Sequence, residues 1–182
     1  MRKLILFNML SAEGFFTGAR EDLSWHKVDK EVNEFMADQL QTADTLLFGK
    51  KTYQLMEDFW PTEEAFLQEP VIAQMMGDYL KIVFSSSLEK TSWNPTRLVQ
   101  ANAIEEVQKL KNTPGKDLII FGSAALSNLL LQHQLIDELR LMINPVVLGQ
   151  GKPFFTNLRL NLQLIKARVF GNGNVLLSYI LK

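Results

Sequence analysis

The chain contains 182 residues, of which 47% are hydrophobic and 21% are charged, and its formal net charge is −1. This length supports one domain with a substantial core, and we expect a single domain over residues 1–182. The near-neutral charge argues against nucleic-acid binding, and the absence of cysteine excludes disulfide bonds, thiolate metal sites and a cysteine nucleophile.

The first half of the chain shows apolar runs that alternate with helical periodicity. Polar residues interrupt the N-terminal apolar run too early for a secretory signal, and no run is long enough for a membrane span, so we expect a cytoplasmic protein. Asp29 precedes hydrophobic residues at helical spacing and is the expected N-cap of that helix. In chain order, the predicted elements are a strand over Lys3–Leu10, a helix after Asp29, a strand over Thr45–Phe48, a helix over Lys50–Phe59, a helix over Glu63–Gly77 interrupted near Pro70, and a strand over Tyr79–Phe84.

The second half repeats this alternation and ends in a hairpin, because Gly171–Asn174 is a typical hairpin turn between two apolar runs. In chain order, the predicted elements are a strand over Arg97–Gln100, a helix from the Asn102 cap to Lys111, a strand over Leu118–Phe121, a helix around Leu126–Leu130, a strand over Leu139–Val147, and hairpin strands over Leu162–Phe170 and Val175–Leu181. The pattern predicts an α/β fold with a mostly parallel central sheet, flanking helices and a C-terminal antiparallel hairpin at one edge.

Three loops are predicted to lie at one edge of this sheet, where the carboxyl ends of parallel strands form ligand sites. Gly49–Thr52 leads into a helix and carries two lysines, Ser85–Ser87 follows a strand, and Gly122–Ala124 consists of small residues. Together they suit a phosphate-containing ligand, although each alone is also explained as an ordinary turn. The common fingerprints, G-x-G-x-x-G before a helix and G-x-x-x-x-G-K-[ST], do not occur.

With these loops in place, the chain resembles the dihydrofolate-reductase-like family, in particular its RibD C-terminal reductase branch. The matching segments are Ser11–Phe16, Leu46–Tyr53, Val83–Ser86, Ile120–Ala124, Asp137–Leu141 and Asn144–Gly149. They span nearly the whole chain, and their order and spacing make the resemblance specific. It implies the same fold and the use of NADPH. The deaminase half of many RibD reductases needs cysteines for its zinc site, so we expect a stand-alone reductase-like domain here.

The resemblance also implies a set of cofactor-binding residues. Lys50, after the first glycine Gly49, corresponds to the basic residue that holds the 2′-phosphate of NADPH. The remaining implied contacts are Thr52 with the backbone of Gly122, Ser123 and Ala124 at the pyrophosphate, Ser85 and Ser86 at the adenosine end, and Met9 and Phe16 beside the nicotinamide.

The chain departs from the family pattern at three positions. Lysine replaces the usual arginine at position 50, which removes a planar fork suited to phosphate. Ser123 replaces the second glycine of a turn that can carry a cis peptide in this family. Lys30 stands closest to the acidic residue that binds the pterin in dihydrofolate reductases, so folate reduction is not expected.

Candidate residues for the chemistry are few. Glu13 occupies the place of an acidic family residue, and two roles are open for it. It could orient substrate or relay a proton, or it could stabilise its loop by accepting backbone N–H bonds. Trp25, Asp29 and Tyr53 are expected to wall the substrate side. The two histidines have no partner at ligand spacing, so we predict no metal site and interpret His26 as a surface or core-edge residue.

The leading hypothesis is an NADPH-dependent oxidoreductase acting on a small heterocyclic or carbonyl substrate. It would be similar to the 5-amino-6-(5-phosphoribosylamino)uracil reductase of riboflavin biosynthesis. The alternative is a dinucleotide-binding protein that kept the fold and lost catalysis. An interaction domain is a third class, suggested by the apolar Leu139–Leu148 run and the terminal hairpin. We interpret these two features instead as a homodimer interface.

Overall fold

An eight-stranded sheet forms the centre of the computed structural model, which describes residues 1–100 and 102–182. The strands are β1 (Leu4–Leu10), β2 (Phe15–Gly18), β3 (Ala43–Gly49), β4 (Leu80–Phe84), β5 (Thr96–Val99), β6 (Asp117–Phe121), β7 (Glu138–Ile143), β8 (Gly151–Pro153), β9 (Leu162–Val169) and β10 (Val175–Leu181). The helices are α1 (Lys30–Gln41), α2 (Lys50–Phe59), α3 (Glu63–Gln68), α4 (Pro70–Asp78), α5 (Ala103–Lys111) and α6 (Ala124–Gln132), and a short 3-10 turn covers Ala19–Glu21.

The strands of the large sheet follow the order β5-β4-β3-β6-β1-β7-β10-β9. From β5 to β7 all neighbours are parallel, whereas β10 pairs antiparallel with both β7 and β9. The predicted fold class is therefore confirmed, including the C-terminal hairpin at one edge. A second, two-stranded sheet pairs β2 with β8.

Both faces of the sheet are buried along its central strands, which explains why these strands are continuous apolar runs. Along β1, Ile5 and Phe7 face a core shared with α1 and α4, whereas Leu4 and Leu6 face a core shared with α5 and α6. The alternation follows from the two-residue period of a strand. Helices thus cover each face, and the loops at the strand ends remain open at the sheet edge.

The sequence placed the first long helix correctly. Asp29 is its N-cap, as predicted, with its carboxylate accepting a 3.0 Å hydrogen bond from the backbone N–H of Val32. The predicted interruption of the helical segment 63–77 near Pro70 is confirmed: the segment forms two helices, α3 and α4, because Pro70 cannot donate a backbone hydrogen bond and begins α4 as its first residue.

Two further expectations changed in the structure. The predicted strand over 139–147 ends earlier, at Ile143, because Asn144 turns inward, is fully buried and accepts a 2.8 Å bond from the backbone N–H of Lys27. The small β2–β8 sheet was not predicted. Among the residues described, no helix combines the length and apolar character that crossing a membrane requires.

Candidate functional site

A cleft of about 640 Å³ opens at the carboxyl ends of β1 and β6. It lies where a parallel sheet is expected to bind ligands. Helix α2 and the segment running from β2 through the 3-10 turn to His26 form its walls. The cleft is lined by Phe7, Asn8, Met9, Phe16, Thr17, Glu21, Leu23, His26, Met36, Lys51, Thr52, Gln54, Leu55, Met56, Asp58, Phe121, Gly122, Ser123 and Lys152.

Two of the predicted phosphate loops are bonded directly to each other beside this cleft. The backbone N–H of Gly49 donates to Ser123 Oγ at 2.9 Å, and the N–H of Ser123 donates to Thr52 Oγ1 at 3.2 Å. Both Gly122 and Ser123 have left-handed backbone angles, with φ of 54° and 52°, and the peptide between them is trans. The Ser123 side chain thus joins the two loops, which a glycine at this position could not do because it has no side chain.

The same two loops begin helices whose first turns carry no side-chain cap. Helix α2 starts after Gly49 and α6 starts after Ser123, and neither of these residues makes a side-chain capping bond. Free N–H groups at a helix N-terminus, together with the helix dipole, attract anions. Two such termini therefore meet at one end of the cleft.

The third loop contacts the first through Lys50. Its Nζ donates to Ser87 Oγ at 3.1 Å, and Ser85 Oγ in turn accepts the backbone N–H groups of Ser87 and Leu88. Ser86 is exposed. Lys50, Ser85 and Ser86 lie outside the cleft lining, on the side of β3 and β4. All three predicted loops are thus neighbours along one sheet edge.

The interior of the cleft is mainly apolar but contains three polar atoms without a hydrogen-bond partner among the described residues 1–100 and 102–182. They are Asn8 Nδ2, Thr17 Oγ1 and His26 Nε2, and each atom is closed off from solvent. Burial lowers the pKa of His26 to about 4, and the charge of Asp22 opposes this only in part, so the imidazole is neutral at neutral pH. Its ring packs edge-on against Trp25, with centroids 4.3 Å apart.

A cluster of three exposed, charged side chains forms part of the cleft lining. Glu21, from the 3-10 turn, pairs with Lys152 of β8 and with Lys51 of α2, the latter at 2.7 Å. Hydrogen bonds from Lys152 and then from Lys51 lower the pKa of Glu21 to about 2. Because the three residues come from separate elements, the ion pairs connect α2 to the β2–β8 side of the cleft.

The structure brings only some of the predicted site residues to the cleft. Met9, Phe16, Thr52, Gly122 and Ser123 line it, and Gly49 and Ala124 flank this set in the two bonded loops. The residues predicted to wall the substrate side lie elsewhere. Asp29 is the N-cap of α1, and Trp25 packs beside His26. Tyr53 is buried in the core, and its hydroxyl donates to Glu57 at 2.8 Å.

Glu13 also lies outside the cleft lining. Its two carboxylate oxygens accept backbone N–H bonds from Leu148 at 2.6 Å and Gly149 at 3.0 Å. These bonds hold the loop after β1 to the loop after β7. This is the geometry of a loop-stabilising carboxylate, one of the two roles open to it from the sequence.

Several lining residues were not predicted, notably Asn8, Thr17, Glu21 and His26. Asn8 did carry a signal, since a polar residue inside a buried apolar strand is uncommon. The others belong to β2, the turn after it, and the segment between that turn and α1. Short segments of this kind have no periodicity that marks them as the wall of a site.

Comparison with known proteins gives concordant results. The sequence model of the RibD C-terminal domain family matches residues 2–176. The uncharacterized protein YyaP from Bacillus subtilis (strain 168) is 34% identical over 180 residues, covering 98% of this chain and 94% of YyaP.

Two solved structures also resemble this chain. One, from Shewanella sp. PV-4 and provisionally named a riboflavin biosynthesis protein, has a TM-score of 0.76 at 20% identity and covers 99% of both chains. The other is dihydrofolate reductase from Enterococcus faecalis complexed with NADP(H), with a TM-score of 0.67 at 15% identity, covering 99% of this chain and 96% of that one. At identities this low, the likeness shows that both structures have the same fold as this chain.

Proposed function

The chain belongs to the RibD C-terminal domain family, and from this premise we propose that it is an NADPH-dependent reductase of a small heterocyclic or carbonyl substrate. The proposal includes a cytoplasmic location and a reaction similar to the pyrimidine reduction of riboflavin biosynthesis. It is supported by structural neighbours that include a dihydrofolate reductase with NADP(H). The alternative is a protein that binds the dinucleotide without reducing anything.

The observation that carries the proposal is the meeting of two uncapped helix N-termini beside an apolar cleft. Gly49 and Ser123 precede α2 and α6, and their loops are bonded to each other. The backbone N–H groups there suit a pyrophosphate, and the missing Cβ of Gly122 leaves the backbone accessible. The residues present therefore fit a dinucleotide at this edge.

Lys50 is proposed to hold the 2′-phosphate that distinguishes NADPH from NADH. Its Nζ lies 3.1 Å from Ser87 Oγ, in the loop that contains Ser85 and Ser86. A lysine and several hydroxyl and N–H donors then surround one exposed point at the ends of β3 and β4. A hydrogen bond to a charged group contributes about 1.5–3 kcal/mol, enough for a preference of roughly tenfold or more.

At the other end, Met9 and Phe16 are proposed to flank the nicotinamide, since both line the apolar part of the cleft. Bound NADPH supplies a hydride. The apolar lining excludes water, and the wall residues hold the substrate at the required distance and angle. For Glu13 we favour the loop-stabilising role, because its two oxygens already accept two backbone N–H groups away from the lining.

The test is a titration of the protein with NADPH and with NADH, followed by nicotinamide fluorescence. We expect micromolar or tighter binding with NADPH preferred. Lys50→Ala should weaken NADPH binding roughly tenfold and leave NADH binding unchanged. Lys109→Ala, which removes an exposed lysine on α5, the helix that leads to the amino end of β6, is the matched control. Absence of binding to either dinucleotide would refute the proposal.

Catalysis is tested separately from binding. Oxidation of NADPH is followed at 340 nm across a panel of small heterocyclic and carbonyl compounds, with enzyme-free reactions as the baseline. Turnover of any member supports a reductase. Tight NADPH binding without oxidation across the panel favours the silent dinucleotide-binding protein.

We also propose a homodimer, formed through the C-terminal hairpin. Within the Leu139–Leu148 run, Leu139 and Met142 are buried in the middle of the sheet, which leaves the hairpin as the available surface. Its outer strand β9 is a sheet edge and exposes Leu164, Ile165 and Val169 by 51%, 48% and 73%. Sedimentation analysis should give a dimer for the wild type and a monomer for Ile165→Lys, and a wild-type monomer would contradict this.

A further inference from the structure

Three buried polar atoms that have no hydrogen-bond partner in the part of the chain that the structure describes belong to the cleft. Such atoms are uncommon in folded proteins, and each one requires an explanation. Among the residues described there are four, and only Asn174 Oδ1 belongs to a residue outside the cleft lining. Asn8 and Thr17 are 8% and 9% exposed, so bulk water does not readily supply the missing partners. Their shared location indicates a ligand rather than three independent defects in packing.

The three groups are uncharged and chemically complementary. The Asn8 amide nitrogen donates, the Thr17 hydroxyl both donates and accepts, and a neutral imidazole nitrogen does either according to its tautomer. Because the three atoms are closed off from solvent, a ligand contacts them only after the side chains rotate, and the soft terminal torsions of asparagine and histidine allow this at little cost. The set therefore suits a molecule that offers both a donor and an acceptor.

The distribution of charge in the cleft lining also favours an uncharged ligand. Its two carboxylates, Glu21 and Asp58, are exposed, and Glu21 is already paired with Lys51 and Lys152. The interior walls consist of phenylalanine, methionine and leucine side chains. A cation placed in such surroundings would lose its hydration without gaining a counter-charge.

We propose that His26, together with Asn8 and Thr17, is the specificity-determining set of the cleft and selects substrates whose buried part is uncharged and presents a donor next to an acceptor. This rests on the proposed function only in taking the cleft as the substrate site. The low pKa of His26 is consistent with a neutral ring in this role. Its backbone N–H donates to Leu23 O at 3.1 Å, and its ring packs edge-on against Trp25, so both the backbone and the ring have a defined starting position.

The test uses two probes that share one ring system and have similar size but opposite character. Quinazolin-4-one is uncharged and carries a ring N–H beside a carbonyl, whereas 2,4-diaminoquinazoline is readily protonated and pairs with carboxylates. Both are titrated by calorimetry into the free protein and into the protein saturated with NADPH. We expect quinazolin-4-one to bind at least about tenfold tighter than 2,4-diaminoquinazoline. This preference is expected in the free protein, in the NADPH-saturated protein, or in both, according to which of them binds quinazolin-4-one.

Two variants remove the polar atoms without changing volume greatly, His26→Phe and Thr17→Val. Each is expected to weaken quinazolin-4-one binding about five- to tenfold while leaving NADPH affinity within about twofold. Neither should lower the melting temperature, because each deletes an unsatisfied atom. If His26 or Thr17 had a purely structural role, its variant would lower the melting temperature and leave quinazolin-4-one binding unchanged. His133→Phe is the control, since the other histidine is exposed beyond α6 and lies outside the cleft lining.

The outcomes separate this inference from the proposed function. Three outcomes would overturn the inference, whatever the result with NADPH. They are equal or tighter binding of 2,4-diaminoquinazoline, unchanged quinazolin-4-one binding in both variants, and binding of neither probe. Failure of NADPH to bind, with the probe preference and its loss in both variants retained, would refute the reductase proposal and leave the recognition set supported.

Discussion

Replacing Ser123 by alanine and by glycine separates two opposing effects at the turn between β6 and α6. Ser123 has left-handed backbone angles, φ 52° and ψ 51°, which cost a residue with a Cβ about 1 kcal/mol or more. Its hydroxyl accepts the backbone N–H of Gly49 at 2.9 Å, and such a bond contributes about 1 kcal/mol. The two terms are therefore of similar size and opposite sign.

The two variants divide these terms differently. Ser123→Ala keeps the strained backbone and loses the hydrogen bond, so its free energy of unfolding should fall by about 1–2 kcal/mol. Ser123→Gly also loses the bond but relieves the strain, so its free energy of unfolding should change by less than about 1 kcal/mol. The glycine variant is thus expected to be about 1 kcal/mol more stable than the alanine variant. For a chain of this length that is a difference of about 2–4 °C in melting temperature.

Urea denaturation followed by circular dichroism measures both values. The matched control is the same pair of substitutions at Ser86, which is exposed and does not have a positive φ. There alanine should be equal to or better than glycine, because glycine gains freedom in the unfolded chain. If glycine is no better than alanine at position 123, the strain argument for this turn is wrong.

Two further predictions concern the walls of the cleft. Gly151→Ala should loosen the β2–β8 sheet, because a Cβ there overlaps the backbone oxygen of Thr17 and lies 2.9 Å from Phe15 Cγ. Faster hydrogen exchange in that sheet would show it, and Gly77→Ala, with open space and a helical backbone, should be neutral or stabilising. His26 titrates at about 4 when folded and near 6.5 when unfolded, so the unfolded state binds more protons between these values and stability falls as the pH is lowered through them. Between about pH 7 and about pH 4.5, the free energy of unfolding of the wild type, measured by urea titration, should fall by about 2 kcal/mol more than that of His26→Gln. If the free energies of unfolding of the two proteins change in parallel with pH, His26 is not a buried, neutral histidine.

Much of the scaffold could be read from local patterns. Helix α2 runs over 50–59 as predicted, because Gly49 ends an apolar strand and Trp60–Pro61 blocks continuation. The Asp29 cap and the hairpin around Gly171–Asn174 are equally local, since each depends on residues within a few positions of one another. The three loops at one sheet edge follow from the parallel topology.

The substrate side could not be read in this way. Tyr53 was expected to wall the substrate side, but the turn of α2 directs its ring into the core, whereas Lys51 and Thr52 line the cleft. The sequence could not distinguish these faces because a tyrosine suits both. His26 was interpreted as a surface or core-edge residue, and only its neighbours in space reveal the unpartnered nitrogen.

The sequence by itself determined the strand and helix pattern, the parallel sheet and the row of small and basic residues at its edge, because these depend on hydrophobic periodicity and turn chemistry along the chain. The tertiary structure alone decided what the cleft contains. Gly151 pairs with Gly18, and Lys152 and Lys51 meet on Glu21, so residues far apart in the chain complete one wall. Contacts of this kind leave no local signal, since their energy arises only when the separate segments come together.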